Sequence, residues 1–146
     1  ILKFYETKSK KVKIYSLKLH DTYHVNDKRN KIIPNIKKNF QENKKFILLS
    51  SKLYMNFLNF DDIIKGVNIL IEKKINPGEY LLKSKNEIKI IDLIKRFNFS
   101  NKKKIKFRIK SNKLIYPEKS YNKKLPFWRQ KYHIEKDFNK LINENN

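Results

Sequence analysis

A run of polar side chains between residues 21 and 29 is the part of this sequence best suited to hold a ligand. It contains two carboxylates, an amide, two hydroxyls, an imidazole and a guanidinium, carried by Asp21, Thr22, Tyr23, His24, Asn26, Asp27 and Arg29. Such groups form directed hydrogen bonds, and a guanidinium pairs with carboxylate or phosphate oxygens through two parallel bonds. The run therefore predicts a site for a polar, anionic small molecule.

The elements on either side would place this run at the end of a strand. Residues 12–19 are β-branched, aromatic or aliphatic often enough to predict a strand buried on both faces, as in a parallel sheet. After the run, Pro34 suits the first turn of a helix. The apolar residues at helical spacing there are Ile32, Ile33, Ile36 and Phe40. In open α/β sheets, ligands bind outside the carboxyl ends of the strands.

The same residues also have purely structural interpretations. Asp21 is suited to cap the strand end, and an aromatic such as Tyr23 at a strand end commonly belongs to a core. Lys28, Arg29 and Lys31 either neutralise a diphosphate or form a solvated basic turn. Both alternatives remain open at the level of the sequence.

Later segments alternate between strand and helix patterns. Asp61 and Asp62 precede an apolar helical stripe, and we interpret them as helix-capping residues rather than as a catalytic carboxylate pair. Trp128 is interpreted as an anchor for a last helix near the C-terminus. Strands are predicted at 46–49, 53–60, 79–83 and 105–109, and helices after residues 61, 90 and 134.

The composition bounds the class of protein. A chain of 146 residues with 39% hydrophobic residues is long enough for a packed domain. Cysteine is absent, which removes disulfides and thiolate chemistry, and the three histidines have no metal-ligand spacing. There is no apolar run of membrane-spanning length and no visible signal peptide. We therefore expect a cytoplasmic protein with neither a metal site nor a membrane partner.

The net charge of +22 suggests a polyanion as partner, yet the distribution of charge argues against specific recognition. Only four of the 36 basic residues are arginine, whose guanidinium group forms paired hydrogen bonds with phosphates and bases. Abundant lysine, asparagine and isoleucine are also typical of an A+T-rich coding sequence. A specific nucleic-acid partner is therefore not expected, and a lysine-rich nucleic-acid-binding module is the second function class.

Four motifs in order resemble the extended short-chain dehydrogenase/reductase superfamily, namely the NAD(P)-dependent epimerase/dehydratase family that acts on nucleotide sugars. Leu19 to Ile32 resembles the strand and substrate loop of this family, and Phe57 to Asp62 its hydrophobic strand followed by Asp-Asp. Gly78-Glu-Tyr80, followed by an apolar helix, resembles the next strand and helix. Leu125 to Ile134 resembles the terminal Leu-Pro-x-Trp signature. Within the family, the chain looks closest to CDP-abequose and CDP-paratose synthases.

This resemblance implies an α/β fold made of two parts. Residues 1–20 would be the last helix and strand of an NAD(P)-binding Rossmann domain, and 21–146 a small mixed α/β domain that binds the nucleotide sugar. It implies NAD or NADP as cofactor, a nucleotide-diphosphate sugar as substrate and a homodimer for the full-length form. The implied substrate-binding residues are Asp21, Thr22, Tyr23, Asn26, Arg29, Lys31 and Ile33.

The resemblance also implies that the catalytic parts lie elsewhere. The glycine-rich cofactor motif and the catalytic Tyr-x-x-x-Lys pair of the family belong upstream of Ile1, so no catalytic residue is assigned here. Met55 stands where many members have an arginine that contacts the pyrophosphate, and Phe127 replaces a small residue. We therefore expect the substrate-binding portion of such an enzyme, inactive alone, or else an inactive remnant.

Overall fold

The computed structural model describes residues 12–117, 119 and 122–144, so the beginning of segment 1–20, where the last helix of a Rossmann domain is expected, lies outside this range. The strands are β1 Tyr15–Leu19, β2 Asp21–Tyr23, β3 Phe46–Leu48, β4 Tyr54–Met55, β5 Phe57–Asn59, β6 Gly78–Leu82, β7 Ile88–Lys89, β8 Phe107–Ile109 and β9 Lys123–Lys124. The helices are α1 Ile32–Gln41, α2 Phe60–Glu72, α3 Ile90–Ser100 and α4 Ile134–Asn143.

Parallel pairing dominates the strands. β1, β6 and β9 form a three-stranded parallel sheet with β6 in the middle, and two further parallel pairs join β2 to β5 and β3 to β8. The pair of β4 and β7 is antiparallel. Each parallel connection passes through a helix, because parallel strands cannot be joined by a tight turn. The predicted α/β fold is confirmed.

The apolar side chains collect in two clusters. The larger lies among α1, α3, α4 and the strands β3 and β5, with Ile36, Ile90 and Ile94 fully buried in it. The smaller lies between α2 and the sheet of β1 and β6, and Leu82 lies fully buried within it. The chain crosses from one cluster to the other more than once, since α2 and β6 follow elements of the larger cluster. The predicted division at residue 20 stays a prediction, and the β1–β6 sheet joins strands from both sides of it.

The first strand is shorter and more exposed than predicted. β1 begins at Tyr15, and the expectation of burial on both faces is wrong because Leu19 is 41% exposed and Lys18 also faces solvent. Within the described residues β1 pairs only with β6, so one of its edges has no partner strand. The polar run that follows is also not entirely a turn, because Asp21–Tyr23 forms β2 beside β5.

Asn56 divides one predicted strand into two. Its fully buried side chain accepts a hydrogen bond from Ser84 N at 2.9 Å and donates to Ser84 O at 3.0 Å and Asn86 O at 3.4 Å. The amide thus satisfies backbone groups where the ladders are interrupted. Consequently β4 pairs with β7 while β5 pairs with β2, and the continuous strand predicted at 53–60 is wrong.

Helix α2 begins one residue before the two aspartates. Its N-cap is Asn59, whose side chain accepts a hydrogen bond from Asp61 N at 2.9 Å. The prediction that Asp61 or Asp62 caps this helix is therefore wrong, although both stand in its first turn, where the helix dipole favours negative charge. Asp62 is fully buried and binds the backbone of Lys131 and Tyr132 instead.

Trp128 anchors the C-terminal segment to α2. Its indole Nε1 donates to Asp62 O at 2.8 Å, and its ring lies over Gly66. A Cβ on Gly66 would come within 2.7 Å of a Leu82 methyl carbon and 3.4 Å of the indole. A side chain at this position would force Leu82 to shift, so glycine permits the close approach of α2 to the sheet.

Phe127 occupies a backbone conformation that disfavours a side chain. Its φ is +62°, in the left-handed region, and its ring is 75% exposed, so little packing compensates the strain. We expect Phe127→Gly to raise the free energy of unfolding by about 0.5–1 kcal/mol, since glycine adopts this region without a Cβ clash. Urea denaturation measures the change. Phe127→Ala is the control and should bring no gain, and an equal gain from alanine would show that strain is not the cause.

Candidate functional site

An open depression of about 590 Å³ lies at the carboxyl end of β1 and along β2. Its lining contains most of the polar run predicted from the sequence, together with two apolar side chains of α2. The lining residues are Leu19, His20, Asp21, Thr22, His24, Asn26, Asp27, Arg29, Lys31, Phe60 and Ile63. Five of the seven predicted substrate-binding residues therefore meet here, although their role in binding stays a prediction.

Arg29 is held in place by a bidentate ion pair within the loop. Its Nε and Nη2 donate to Asp27 Oδ1 at 2.8 Å and Oδ2 at 2.6 Å. Nη2 also donates to Thr22 Oγ1 at 2.7 Å, which joins the loop to β2. This guanidinium lowers the pKa of the Asp27 carboxyl below its usual range, with burial acting in the opposite direction. Arg29 thus orders the loop, and its charge is already matched.

The remaining charges of the depression are balanced rather than basic. Lys31 Nζ lies 3.9 Å from Asp21 Oδ1, and both side chains are partly exposed. With Asp27 paired to Arg29, two carboxylates face two cations. Such a lining offers acceptors and donors to neutral hydroxyl groups, since carboxylates accept several hydrogen bonds. It is less suited to a diphosphate than the sequence indicated.

A second depression of about 500 Å³ lies on the other side of the same loop and is basic. Lys28, Lys37 and Lys38 line it together with Asn30, Pro34, Asn35 and Gln41, and Asp27 and Arg29 line both depressions. Lys28, predicted with Arg29 and Lys31 to neutralise a diphosphate, thus lies apart from Lys31. Lys38 belongs to α1 and was not singled out from the sequence, because a lysine on a helix carries no local signal of a site.

Two predicted substrate-binding residues lie in the core instead. Tyr23 is fully buried and its hydroxyl donates to Asp137 Oδ2 at 2.7 Å, which connects β2 to α4. Burial and this carboxylate raise the pKa of Tyr23. Ile33 is 4% exposed and packs in the larger cluster. Neither residue is among those lining the depression, and their role in binding the substrate stays a prediction.

His20 is a polar residue of the depression that was not predicted from the sequence. It follows β1 directly, and its Nε2 is buried without a hydrogen-bond partner in the described part of the chain. Burial lowers the pKa of His20, and the nearby Lys83 lowers it further. The sequence offered no signal, because a single histidine after a strand has no distinguishing spacing.

This environment makes stability depend on pH. Because the folded state lowers the pKa of His20 below its ordinary value of 6.5, the unfolded chain binds the proton more readily. The free energy of unfolding should therefore fall as the pH drops below about 6.5. For the His20→Asn variant, we expect the free energy of unfolding to fall less steeply between about pH 7.5 and 5 than it does for the natural chain. Urea denaturation at each pH measures this free energy. Equal slopes would contradict this assignment.

One Tyr-x-x-x-Lys spacing does occur in the chain, at Tyr132 and Lys136. The structure separates it from the depression, since neither residue is among the lining. The ring of Tyr132 instead faces Lys65 Nζ at 5.0 Å and Lys131 Nζ at 5.3 Å. The expectation that the catalytic pair of the family lies upstream of Ile1 is untouched by this coincidence of spacing.

Comparison with known proteins identifies the fold. No protein-family model matches the chain, and no curated protein sequence matches it. UDP-glucose 4-epimerase from Bifidobacterium longum, solved with NAD+ and UDP, aligns with a TM-score of 0.73 and 15% identity over 97% of this chain and 50% of the epimerase chain. dTDP-glucose 4,6-dehydratase from Bacillus anthracis, solved with NAD, aligns with a TM-score of 0.71 and 19% identity over 97% and 46%.

A third solved enzyme agrees with these two. UDP-glucuronic acid 4-epimerase from Bacillus cereus, in complex with UDP-glucuronic acid and NAD, aligns with a TM-score of 0.68 and 17% identity over 84% of this chain and 41% of that one. This chain has the fold of part of these sugar-nucleotide enzymes. It spans about half the length of the chains it matches or less. No helix of the described residues is long and apolar enough to cross a membrane.

Proposed function

We propose that this chain is the sugar-nucleotide-binding portion of an NAD(P)-dependent epimerase, dehydratase or reductase. The observation that carries the proposal is the meeting of Asp21, Thr22, Asn26, Arg29 and Lys31 in one depression at the carboxyl end of the parallel strands. Ligands of open α/β sheets bind at that place. Solved enzymes of the same fold hold NAD with UDP or UDP-glucuronic acid.

The two depressions bind chemically different parts of the ligand. The first, with balanced charges, receives the sugar, whose hydroxyls bind Asp21, Thr22 and Asn26. The second, lined by Lys28 and Lys38, receives the diphosphate. Arg29 separates the two and is fixed by Asp27, so the loop is already ordered before the ligand arrives. An ordered loop loses less conformational entropy on binding.

NAD or NADP would be held mainly by residues outside this chain. Dinucleotide sites use a glycine-rich turn that lets the backbone approach the pyrophosphate. The chain has two glycines, and Gly66 is packed under Leu82 and Trp128 inside α2. Gly78 begins β6, so neither glycine stands in a turn that leads from a strand into a helix and would fit a dinucleotide, and no catalytic step is assigned to this chain. In this proposal residues 1–20 end the cofactor domain, 21–146 bind the substrate, and the full-length enzyme is a cytoplasmic homodimer.

Titration calorimetry with UDP-, dTDP- and CDP-glucose tests the proposal on the chain itself. We expect binding of at least one, and tightest binding of CDP-glucose if the closer resemblance to CDP-abequose and CDP-paratose synthases is right. Lys28→Glu with Lys38→Glu should weaken affinity by at least about 10-fold, because it reverses two charges beside the diphosphate. Thr22→Val should lower the affinity for the sugar nucleotide more than the affinity for the free nucleoside diphosphate.

Charge-matched substitutions distinguish this site from general basicity. Lys73→Glu with Lys74→Glu makes the same change of charge at exposed positions after α2, and we expect it to leave sugar-nucleotide affinity within about twofold. An equal loss of affinity in both double variants would show that binding depends on the overall positive charge of the chain and not on this site. If none of the three sugar nucleotides binds, the proposal is overturned, and the interpretation of the chain as an inactive remnant is favoured.

A further inference from the structure

The parallel pair of β3 and β8 presents a solvent-facing side that the proposed function does not use. Ile47 stands opposite Arg108 in the register, and both side chains are exposed, whereas Phe46 and Leu48 on β3 point into the core. Side chains alternate between the two sides of a strand, so every second residue faces outward. The outward residues, here called the ribbon face, are Lys45, Ile47, Leu49, Lys106, Arg108 and Lys110.

The ribbon face combines cations with exposed aliphatic side chains. Ile47 on β3 is 51% exposed, and Leu49, which directly follows β3, is 57% exposed, although isoleucine and leucine are ordinarily among the most buried residues. Backbone hydrogen bonds from Phe46 N to Lys106 O at 2.8 Å and from Lys110 N to Leu48 O at 2.9 Å hold the two strands in register. The two aliphatic groups thus lie on an ordered support, surrounded by four positive charges.

The two segments that carry the ribbon face contain no acidic residue. Residues 43–60 and 93–117, which contain both strands, have neither aspartate nor glutamate. Among the ion pairs of the described residues, none involves Lys45, Lys106, Arg108 or Lys110. The positive charge here is therefore concentrated locally, whereas elsewhere the chain places lysines beside acids, as in Lys18 with Glu79 and Lys83 with Glu87.

We propose that the ribbon face binds the surface of an anionic lipid bilayer. Such a bilayer presents acidic headgroups above apolar acyl chains. The cations of the ribbon face are attracted to the headgroups, and its aliphatic side chains insert at the boundary between headgroups and acyl chains. Against nucleic acid the aliphatic groups would be unused, because bases stack on aromatic rings and the face has none. This peripheral contact needs no spanning helix, so it departs from the expectation of no membrane partner, which rested on the lack of an apolar run of membrane-spanning length. None of the residues of the ribbon face lines the depression beside β2.

Vesicle co-sedimentation tests the proposal directly. The chain should bind vesicles of phosphatidylcholine mixed with phosphatidylglycerol, and bind phosphatidylcholine alone at least about 10-fold more weakly. Arg108→Glu with Lys110→Glu should reduce binding to the mixed vesicles by at least about 10-fold. Lys73→Glu with Lys74→Glu, the same change of charge on exposed residues elsewhere, should reduce it by less than about threefold.

The aliphatic groups have their own matched control. Ile47→Ser with Leu49→Ser should weaken vesicle binding at about 0.15 M salt, where charge is partly screened. Ile64→Ser with Ile71→Ser, at isoleucines that are 44% and 76% exposed on α2, should leave it unchanged. Circular dichroism confirms that each variant is folded. Equal losses in the two charge variants, no effect of the serine variants, or tighter binding of duplex RNA than of vesicles through the same face would each overturn the proposal.

Discussion

Tyr23→Ala should lower the free energy of unfolding by about 4 kcal/mol, the largest effect that we expect from a single substitution. Tyr23 is fully buried, its ring meets Phe57 edge to face at 6.4 Å, and its hydroxyl binds Asp137. Truncation removes the ring, leaves a cavity in the larger cluster and breaks the bond between β2 and α4. Urea denaturation followed by circular dichroism measures the loss.

Tyr23→Phe separates the core role from the predicted substrate role. The phenylalanine keeps the ring and removes only the hydroxyl, so stability should fall by about 1–2 kcal/mol because Asp137 loses its partner. In a core role, the affinity of the folded variant for sugar nucleotides stays within about twofold of the natural chain. A loss of affinity of about 10-fold with unchanged stability would instead support Tyr23 as a substrate-binding residue.

Asp62→Ala is expected to cost about 3 kcal/mol, because hydrogen bonds to a charged acceptor contribute more than neutral ones. The carboxylate is fully buried, and its oxygens accept from Lys131 N at 3.0 and 3.1 Å and from Tyr132 N at 2.8 Å. Without it these two backbone donors lose their partners, and the segment leading to α4 loses its attachment to α2. Chemical denaturation measures the free energy, and faster proteolysis after residue 124 would report the local release.

The adjacent aspartate provides the control for this prediction. Asp61 is exposed in the same helical turn and has the same charge, so Asp61→Ala should change stability by less than about 0.5 kcal/mol. If both variants lose the same stability, the helix dipole rather than the attachment of the C-terminal segment explains the role of the two aspartates.

Local patterns were sufficient for the type and order of most elements. The helical spacing of Ile32, Ile36 and Phe40 predicts α1, because this signal depends on residues close together in the chain. The polar run after β1 was recognised for the same reason. Four of its predicted binding residues line one depression together with Lys31, since neighbours in sequence at a strand end remain neighbours in the fold.

Partners distant in sequence decided the rest. Asp62 and Tyr132 are 70 residues apart, and Tyr23 and Asp137 are 114 apart, so no local pattern distinguishes a capping aspartate from a buried anchor or a ligand-binding tyrosine from a core one. The strand break at Asn56 likewise depends on Ser84. By itself, the sequence determined the α/β class and the segment where a ligand could bind. Tertiary structure alone decided which side chains of that segment face the depression, because burial and hydrogen bonding depend on what packs against them.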